Sequence, residues 1–355
     1  MNKTKIKKHT INLLRIVIGL GLAAVLIFIT LKQTDTNLWE QLSKAAVPLL
    51  GLALFFYGIV LLVGAYRWQT LLRAQNIHIS FKNVCRLQII GFFFNLVVPG
   101  AVGGDVVKMG FAVRRAPEQK TETVFSILVD RILGLLGLFI VAAISVLAAF
   151  DKISALGGEY HIVETGAYIV AFCSVAGVAV FLALEFHHRL LHHKWVAPIL
   201  NNLKRKLPHN ITATAKRIIT ALNNYRQSRR TLAWALLMSI FVHTFLALAL
   251  FAVGQSLHED RLNAREYFVT AQVSNAIASV PLTPGGLGVR DKGTQEFFLA
   301  FGMKPAKSGA IPVTLTLVIL AWALFGAIIF AFSPVPHKVP NVLKMAEEEK
   351  KGLTP

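Results

Sequence analysis

The chain is 355 residues long, 55% hydrophobic and only 15% charged, with a mean hydropathy of +0.58; that excludes a soluble globular domain, and several of its apolar runs reach the roughly 20 residues that span a bilayer. A net charge of +19 would point to nucleic acid in a soluble protein, but here Lys and Arg collect in the loops between apolar runs, which is the signature of membrane topology and leaves no nucleic-acid partner. Cys85 and Cys173 are too few for a disulfide framework and match no metal-ligand spacing, so the reading contains no metal and no cofactor.

Met1 to His9 is basic and leads into an apolar run, Ile11–Leu31. The run is too long for a signal-peptide core and has no small-residue cleavage site after it, so it reads as a retained first span. Val47–Ala65 is the second span. Cys85–Val113 is apolar but interrupted by Pro99-Gly100 and Gly103-Gly104. Val124–Ala149 and Ile162–Glu185 are spans three and four. His187–Arg230 holds ten Lys or Arg, five His and no acid; Leu190, Leu191, Trp195, Ile199, Leu200 and Leu203 recur there at roughly helical spacing, so the loop either lies on anionic lipid headgroups or serves only to set topology. Thr231–Gln255 is the fifth span. A second interrupted segment, Tyr267–Phe301, carries Pro281, Pro284, Gly285, Gly286 and Gly288, and Ala310–Phe332 is the last span.

Loop charge sorts these segments by side. Lys3, Lys5, Lys7 and Lys8 place the N-terminus inside, as do Arg67, Arg73, Lys82 and Arg86 for the loop after span two, and the tail 333–355 also reads as cytoplasmic. The loops near Lys32–Lys44, Asp151–His161 and His258–Glu266 are mixed, as expected outside. The bookkeeping closes if neither interrupted segment crosses: the first starts and ends inside, the second outside. The fold class is therefore an all-α polytopic membrane protein, one integral domain with about six spans and two re-entrant broken helices. It forms an inverted repeat, with repeat one about 11–149 and repeat two about 162–332, as in many secondary transporters. The alternative left open is that either segment is an ordinary tight hairpin or a full span.

Pro and Gly break helices, and in lipid a broken backbone survives only where protein or water satisfies it. Charge at that depth is costly and marks function by default. Asp105 and Lys108 follow the first break, and Arg290, Asp291 and Lys292 the second. A half-helix starting there points unbonded N–H groups at its ligand, which suits a phosphate or carboxylate, with Lys108 and Arg290 as anion contacts. The bland reading pairs Asp105 with Lys108 and Asp291 with Lys292. Asp130 and Arg131 are adjacent on a helix and so need separate partners; Arg131 is expected to reach a headgroup or the first broken loop, or simply to snorkel to the inner-leaflet interface. Asn95 and Asn275 precede the breaks and are read as bonding carbonyls released there. His243 reads as a satisfied core residue, while Gln272, Ser274, Ser279 and Thr283 line a polar path or join helices.

Asn95 to Lys108, the Asp130-Arg131 pair and Pro281 to Asp291 resemble the motifs of the lysylphosphatidylglycerol synthase transmembrane region, a flippase-like membrane family, and the resemblance covers roughly residues 11–332. Asp291 stands where Glu is frequent in the family, and Lys108 where Arg is. The resemblance implies movement of a phospholipid or lipid-linked substrate, anionic or aminoacylated, between leaflets of a bacterial inner membrane. Its site residues would be Asp105, Lys108, Arg131, Arg290 and Asp291. Fused members carry a soluble domain that attaches the amino acid from aminoacyl-tRNA; the longest soluble stretch here, about 44 residues, is too short for one. A lipid-headgroup transferase and a non-catalytic partner subunit are the rival readings, and the protein partners left open are a second copy of the chain or a lipid-modifying enzyme.

Overall fold

The computed structural model describes residues 38–97, 103–156, 160–186, 225, 228–280 and 283–332, with backbone alone at 162 and 178–186. The expected first span, most of the basic loop, the C-terminal tail, and Pro99, Gly100 and Pro281 lie outside the described residues.

The elements in chain order are α1 (Leu38–Ser43), α2 (Val47–Ala74), α3 (Phe81–Val97), α4 (Gly103–Val113), α5 (Lys120–Ala148), α6 (Phe150–Ser154), α7 (His161–Phe186), α8 (Arg229–Ser256), α9 (Ala264–Ala278), a 3₁₀ turn (Pro284–Gly286), α10 (Val289–Ala300) and α11 (Pro305–Phe332). Among the described residues α2, α5, α8 and α11 are long and apolar enough to cross a membrane. At 28 residues α2 is about 42 Å long, more than a hydrocarbon core of about 30 Å. The protein is thus an all-α membrane protein. Local sequence accounts for several boundaries. Pro opens α2 in its first turn, where a missing N–H costs nothing, and Asn76 ends its run in a left-handed conformation (φ 58°). Asn263 and Glu266 form a capping box that starts α9.

Both interrupted segments fold back on themselves. In the first, the Lys108 ammonium donates to Gln88 Oε1 (2.7 Å) and the Gly104 N–H to Asn95 Oδ1 (2.9 Å). Residue numbers thus rise along α4 as they fall along α3, which is an antiparallel hairpin. In the second, the Tyr267 and Phe298 rings lie 5.0 Å apart, Ser274 lies against Gly293, and Ala278 against Gly286. This pairing also runs backwards.

The two hairpins spring from opposite ends of the molecule. At one end α2 finishes and α5 begins, joined by Arg67 to Asp130 and by Trp68 Nε1 to Ser126 Oγ (3.2 Å). Hairpin one (α3–α4) leaves and returns here, among Arg73, Lys82, Arg86, Arg114 and Arg115, so this is the basic end. Arg115 is partly buried beside Arg86, and both effects lower its pKa from the usual arginine value. At the other, mixed-charge end α8 finishes beside the start of α2: the Ala46 N–H donates to Ser256 O (2.8 Å). Hairpin two (α9–α10) leaves and returns here; Arg261 donates to Gly302 O (3.2 Å) and Lys307 to His258 O.

The hairpins meet. A Cβ placed on Gly285, whose φ of 59° suits glycine, would stand 2.4 Å from Leu96 at the end of α3. Around this contact the helices pack in exchangeable pairs. Swapping α2 with α8, α3 with α9, α4 with α10 and α5 with α11 maps the packing onto itself: α3–α11 becomes α9–α5, α4–α5 becomes α10–α11, α2–α11 becomes α8–α5, and α2–α8 is its own image. The largest apolar core lies where these pairs cross, with Phe93, Leu96, Leu250, Tyr267, Phe298 and Leu315 buried together.

Candidate functional site

Two charged clusters flank the place where the hairpins meet. The first is assembled from α2, α4 and α5. Asp130 on α5 accepts from Arg67 Nε at 2.8 Å and lies 3.7 Å from the Lys108 ammonium. Arg67 also donates to Ser239 Oγ on α8 (2.8 Å), and Lys108 sits 3.8 Å from the centroid of the Trp68 ring. Asp105 pairs with Arg131. Arg67, Lys108, Asp105 and Asp130 are all buried, whereas the Arg131 side chain is 38% exposed and so is the cation the cluster turns outward. Among the described residues three basic side chains meet two carboxylates there.

The second cluster sits in the first turn of α10. Asp291 Oδ1 accepts from Arg290 Nη2 (2.9 Å) and Nε (3.1 Å), and from the Thr316 hydroxyl of α11 (2.9 Å), to which Arg290 also donates. Asp291 Oδ2 takes the Gly288 N–H at 3.3 Å, satisfying one of the unbonded donors at the start of α10. Gly285, Gly286 and Gly288 all have positive φ, and they turn the chain from the tip into this helix.

The structure brings Asp105, Lys108 and Arg131 into one cluster, and Arg290 and Asp291 into another. It corrects the pairings read from spacing. Asp105 bonds Arg131 rather than Lys108, and Lys108 bonds Gln88 and faces Asp130. Asp291 bonds Arg290, while Lys292 pairs with Glu296 at 2.7 Å. Asn95 Oδ1 accepts the Gly104 N–H from across hairpin one, the carbonyls at Pro99 and Gly100 lying outside the described residues, and Asn275 bonds Ala271 O within its own helix. Asp130 and Arg131 do have separate partners. His243 Nε2 meets Gly134 O at 3.1 Å, while its buried Nδ1 has no hydrogen-bond partner among the described residues.

An apolar count ends the second span at Ala65 and leaves Arg67 in the loop, whereas the helix runs on to Ala74 and buries Arg67 in the cluster. The signal was present: no Pro or Gly separates Ala65 from Ala74, so the helix continues. Thr316 and Ser239 are buried hydroxyls in apolar spans, and nothing local sets them apart from hydroxyls that bond their own helix. Among the described residues no group of three His, Cys, Asp or Glu is placed to hold a metal ion, and both cysteines are unbridged.

Two oppositely directed fold-back hairpins, meeting near the middle of a helical bundle and each carrying buried charge, define a class: a multi-pass membrane protein with broken helices at its centre. The chain belongs to the family described as the lysylphosphatidylglycerol synthase TM region, whose sequence pattern matches residues 16–334. It is therefore a membrane protein of a family tied to lipid metabolism. It is similar to a UPF0104 membrane protein of Pyrococcus horikoshii, 23% identical over 312 residues, which covers 85% of this chain and 90% of that one. A UPF0104 membrane protein of Methanothermobacter thermautotrophicus is also 23% identical, over 318 residues, covering 85% and 89%.

Proposed function

We propose that the protein translocates a lipid whose headgroup is anionic, aminoacylated or otherwise lipid-linked from one leaflet to the other. The observation that carries this reading is the meeting of two opposed hairpins, each with a charged cluster beside its break. Such broken helices line substrate paths because their backbone needs a polar neighbour. The headgroup enters at the basic end, which the positive-inside rule assigns to the cytoplasm of the cell. It is drawn by the basic side chains of the first cluster, with Arg131 as the outward contact, and passes the hairpin tips toward Arg290 and Asp291. Rocking of the two exchangeable halves opens one end and then the other. An ion or proton gradient, or the lipid gradient alone, supplies the drive.

The test is headgroup translocation in proteoliposomes, read with fluorescent phosphatidylglycerol and a membrane-impermeant quencher. Wild type is expected to expose protected lipid quickly. Asp105→Asn and Arg290→Ala each remove a charge-assisted hydrogen bond worth about 1.5–3 kcal/mol, so each should slow the rate roughly 10- to 100-fold; because Arg290→Ala strands the Asp291 carboxylate, the folded fraction of each variant is read alongside by thermal unfolding. Unchanged rates in both variants would sink the site. Aminoacylated lipid formed by the purified protein from aminoacyl-tRNA and phosphatidylglycerol would place it with the headgroup transferases instead.

A further inference from the structure

Hairpin two and the start of α7 leave a crevice of about 390 Å³ between them, within the roughly 300–1,000 Å³ of ligand sites. Tyr160, just ahead of α7, and Val163 and Gly166 within it form one wall; Ile277 of α9 and Gly293 and Phe297 of α10 form the other. The two glycines make the space. A Cβ on Gly166 would meet nothing within 4 Å, and Gly293 lies against Ser274 with no side chain of its own. Both walls begin at the mixed-charge end. There Lys152 of α6, ahead of α7, lies 3.9 Å from Glu266 in the first turn of α9, and Arg261 reaches Gly302 just beyond α10. The crevice runs from that end toward the hairpin tip, where Ile277 is one residue short of the end of α9.

Its lining offers a guest almost no polar chemistry. Glu296 is the one charged residue among the lining residues, and Lys292 pairs with it at 2.7 Å, so the wall carries no net charge. Glu296 stands four residues from the end of α10, about 6 Å from the mouth. The rest of the lining is aliphatic, aromatic or glycine. The surfaces beside it are those of a protein in hydrocarbon: Ile169, Phe172 and Val175 further along α7, and Val280 beyond α9, are large exposed apolar side chains. An apolar gap does not hold water, and its walls lose dispersion contacts unless hydrocarbon fills it. Packing of this kind is what holds helices and lipid together inside a bilayer.

We propose that the crevice seats one acyl chain of a phospholipid in the leaflet at the mixed-charge end. From Tyr160 to Gly166 the wall rises about 9 Å at 1.5 Å per residue, against about 15 Å for half of a hydrocarbon core. It therefore takes part of one chain and not a whole lipid. A headgroup that follows a polar path leaves its tails in hydrocarbon, and this seat lies against hairpin two, with Gly293 one turn along α10 from Arg290. The proposal deepens the translocation reading and rests on it only for the guest being the lipid that moves.

The experiment uses the full chain in phosphatidylcholine vesicles doped with phosphatidylglycerol that carries a photoreactive diazirine in the upper part of one acyl chain. After irradiation, adducts are mapped by peptide mass spectrometry, and residues 169–175 serve as the reference for ordinary contact with bulk lipid. Adducts on 160–166 and 293–297 are expected several-fold above that reference. Gly166→Trp from one wall and Ile277→Trp from the other should each abolish the excess and leave the reference unchanged, which also shows that the variants are folded. Lys292→Gln, at an exposed position outside the lining, should leave the excess intact. The proposal is overturned by wild-type adducts no denser in the crevice than on 169–175, by an excess that survives both tryptophan variants, or by its loss in Lys292→Gln, which would mark a charged guest. Adducts are read without transport. An excess in a protein that moves no lipid would keep the seat and discard translocation, and transport without an excess would do the reverse.

Discussion

Arg67 holds Asp130 from two residues beyond the point where an apolar count would end its helix, and it ties the first cluster together. It bonds a carboxylate on α5 and a hydroxyl on α8 at once. Removing one partner of a buried ion pair strands the other, at a cost of about 3–5 kcal/mol, whereas removing both charges costs far less. Arg67→Met should therefore lower stability in detergent by about that amount, and adding Asp130→Asn should recover much of it, as read by thermal or urea unfolding of the two variants. The separate partners of Asp130 and Arg131 were legible because adjacent helix positions diverge by about 100°. Adjacency misleads at Arg290-Asp291, which do bond, because there the long guanidinium arm curls back within the first turn of α10. Which cation serves which carboxylate depends on how α2, α4 and α5 are packed, and no spacing within one segment carries that.

Each interrupted segment behaves as one element, a pair of half-helices that press backbone to backbone. Gly104 shows how tightly: a Cβ there would lie 1.9 Å from Gly91 O and 2.6 Å from Asn95 Cγ. Gly104→Ala should force hairpin one apart, with a loss of at least the 1–3 kcal/mol typical of overpacking and a sharp fall in transport. Gly51→Ala on α2 is the control. Nothing stands within 4 Å of its Cβ, so the change should be neutral or raise stability by about 0.5–1 kcal/mol through helix propensity. Melting temperatures of the two variants decide it. The breaks themselves were plain in the sequence, because Pro and Gly disrupt helices by local chemistry. The two spans flanking each break were plain as well, because apolar length is a local property.

At the scale of the whole molecule, the exchange of α2–α5 with α8–α11 is a statement about packing that survives although the halves share little beyond Asn, Pro-Gly and nearby charge. Loop charge foresaw the opposed directions of the two hairpins, since each returns to the side it left. It did not foresee that their tips touch, because Leu96 and Gly285 are ordinary residues whose meeting follows from helix lengths and tilts. Orientation is testable on exposed positions at the two ends. In a background lacking Cys85 and Cys173, Asp260→Cys should react with an impermeant thiol reagent added to intact cells, and Glu118→Cys should react only after the cells are opened. The reverse pattern would invert the proposed entry side.

The tip-to-tip contact also bears on electricity. Each hairpin reaches only partway through the molecule, so a path that is wet from either end leaves just the short stretch around Leu96 and Gly285 to insulate one side from the other. Membrane voltage then falls across that stretch rather than across the full bilayer. A headgroup of net charge one that passes the tips would cross most of the field in a short step, worth about 2.3 kcal/mol for each 100 mV. Its rate of passage should rise or fall with imposed voltage according to the sign of its charge, and a zwitterion passing the same contact should be indifferent to it.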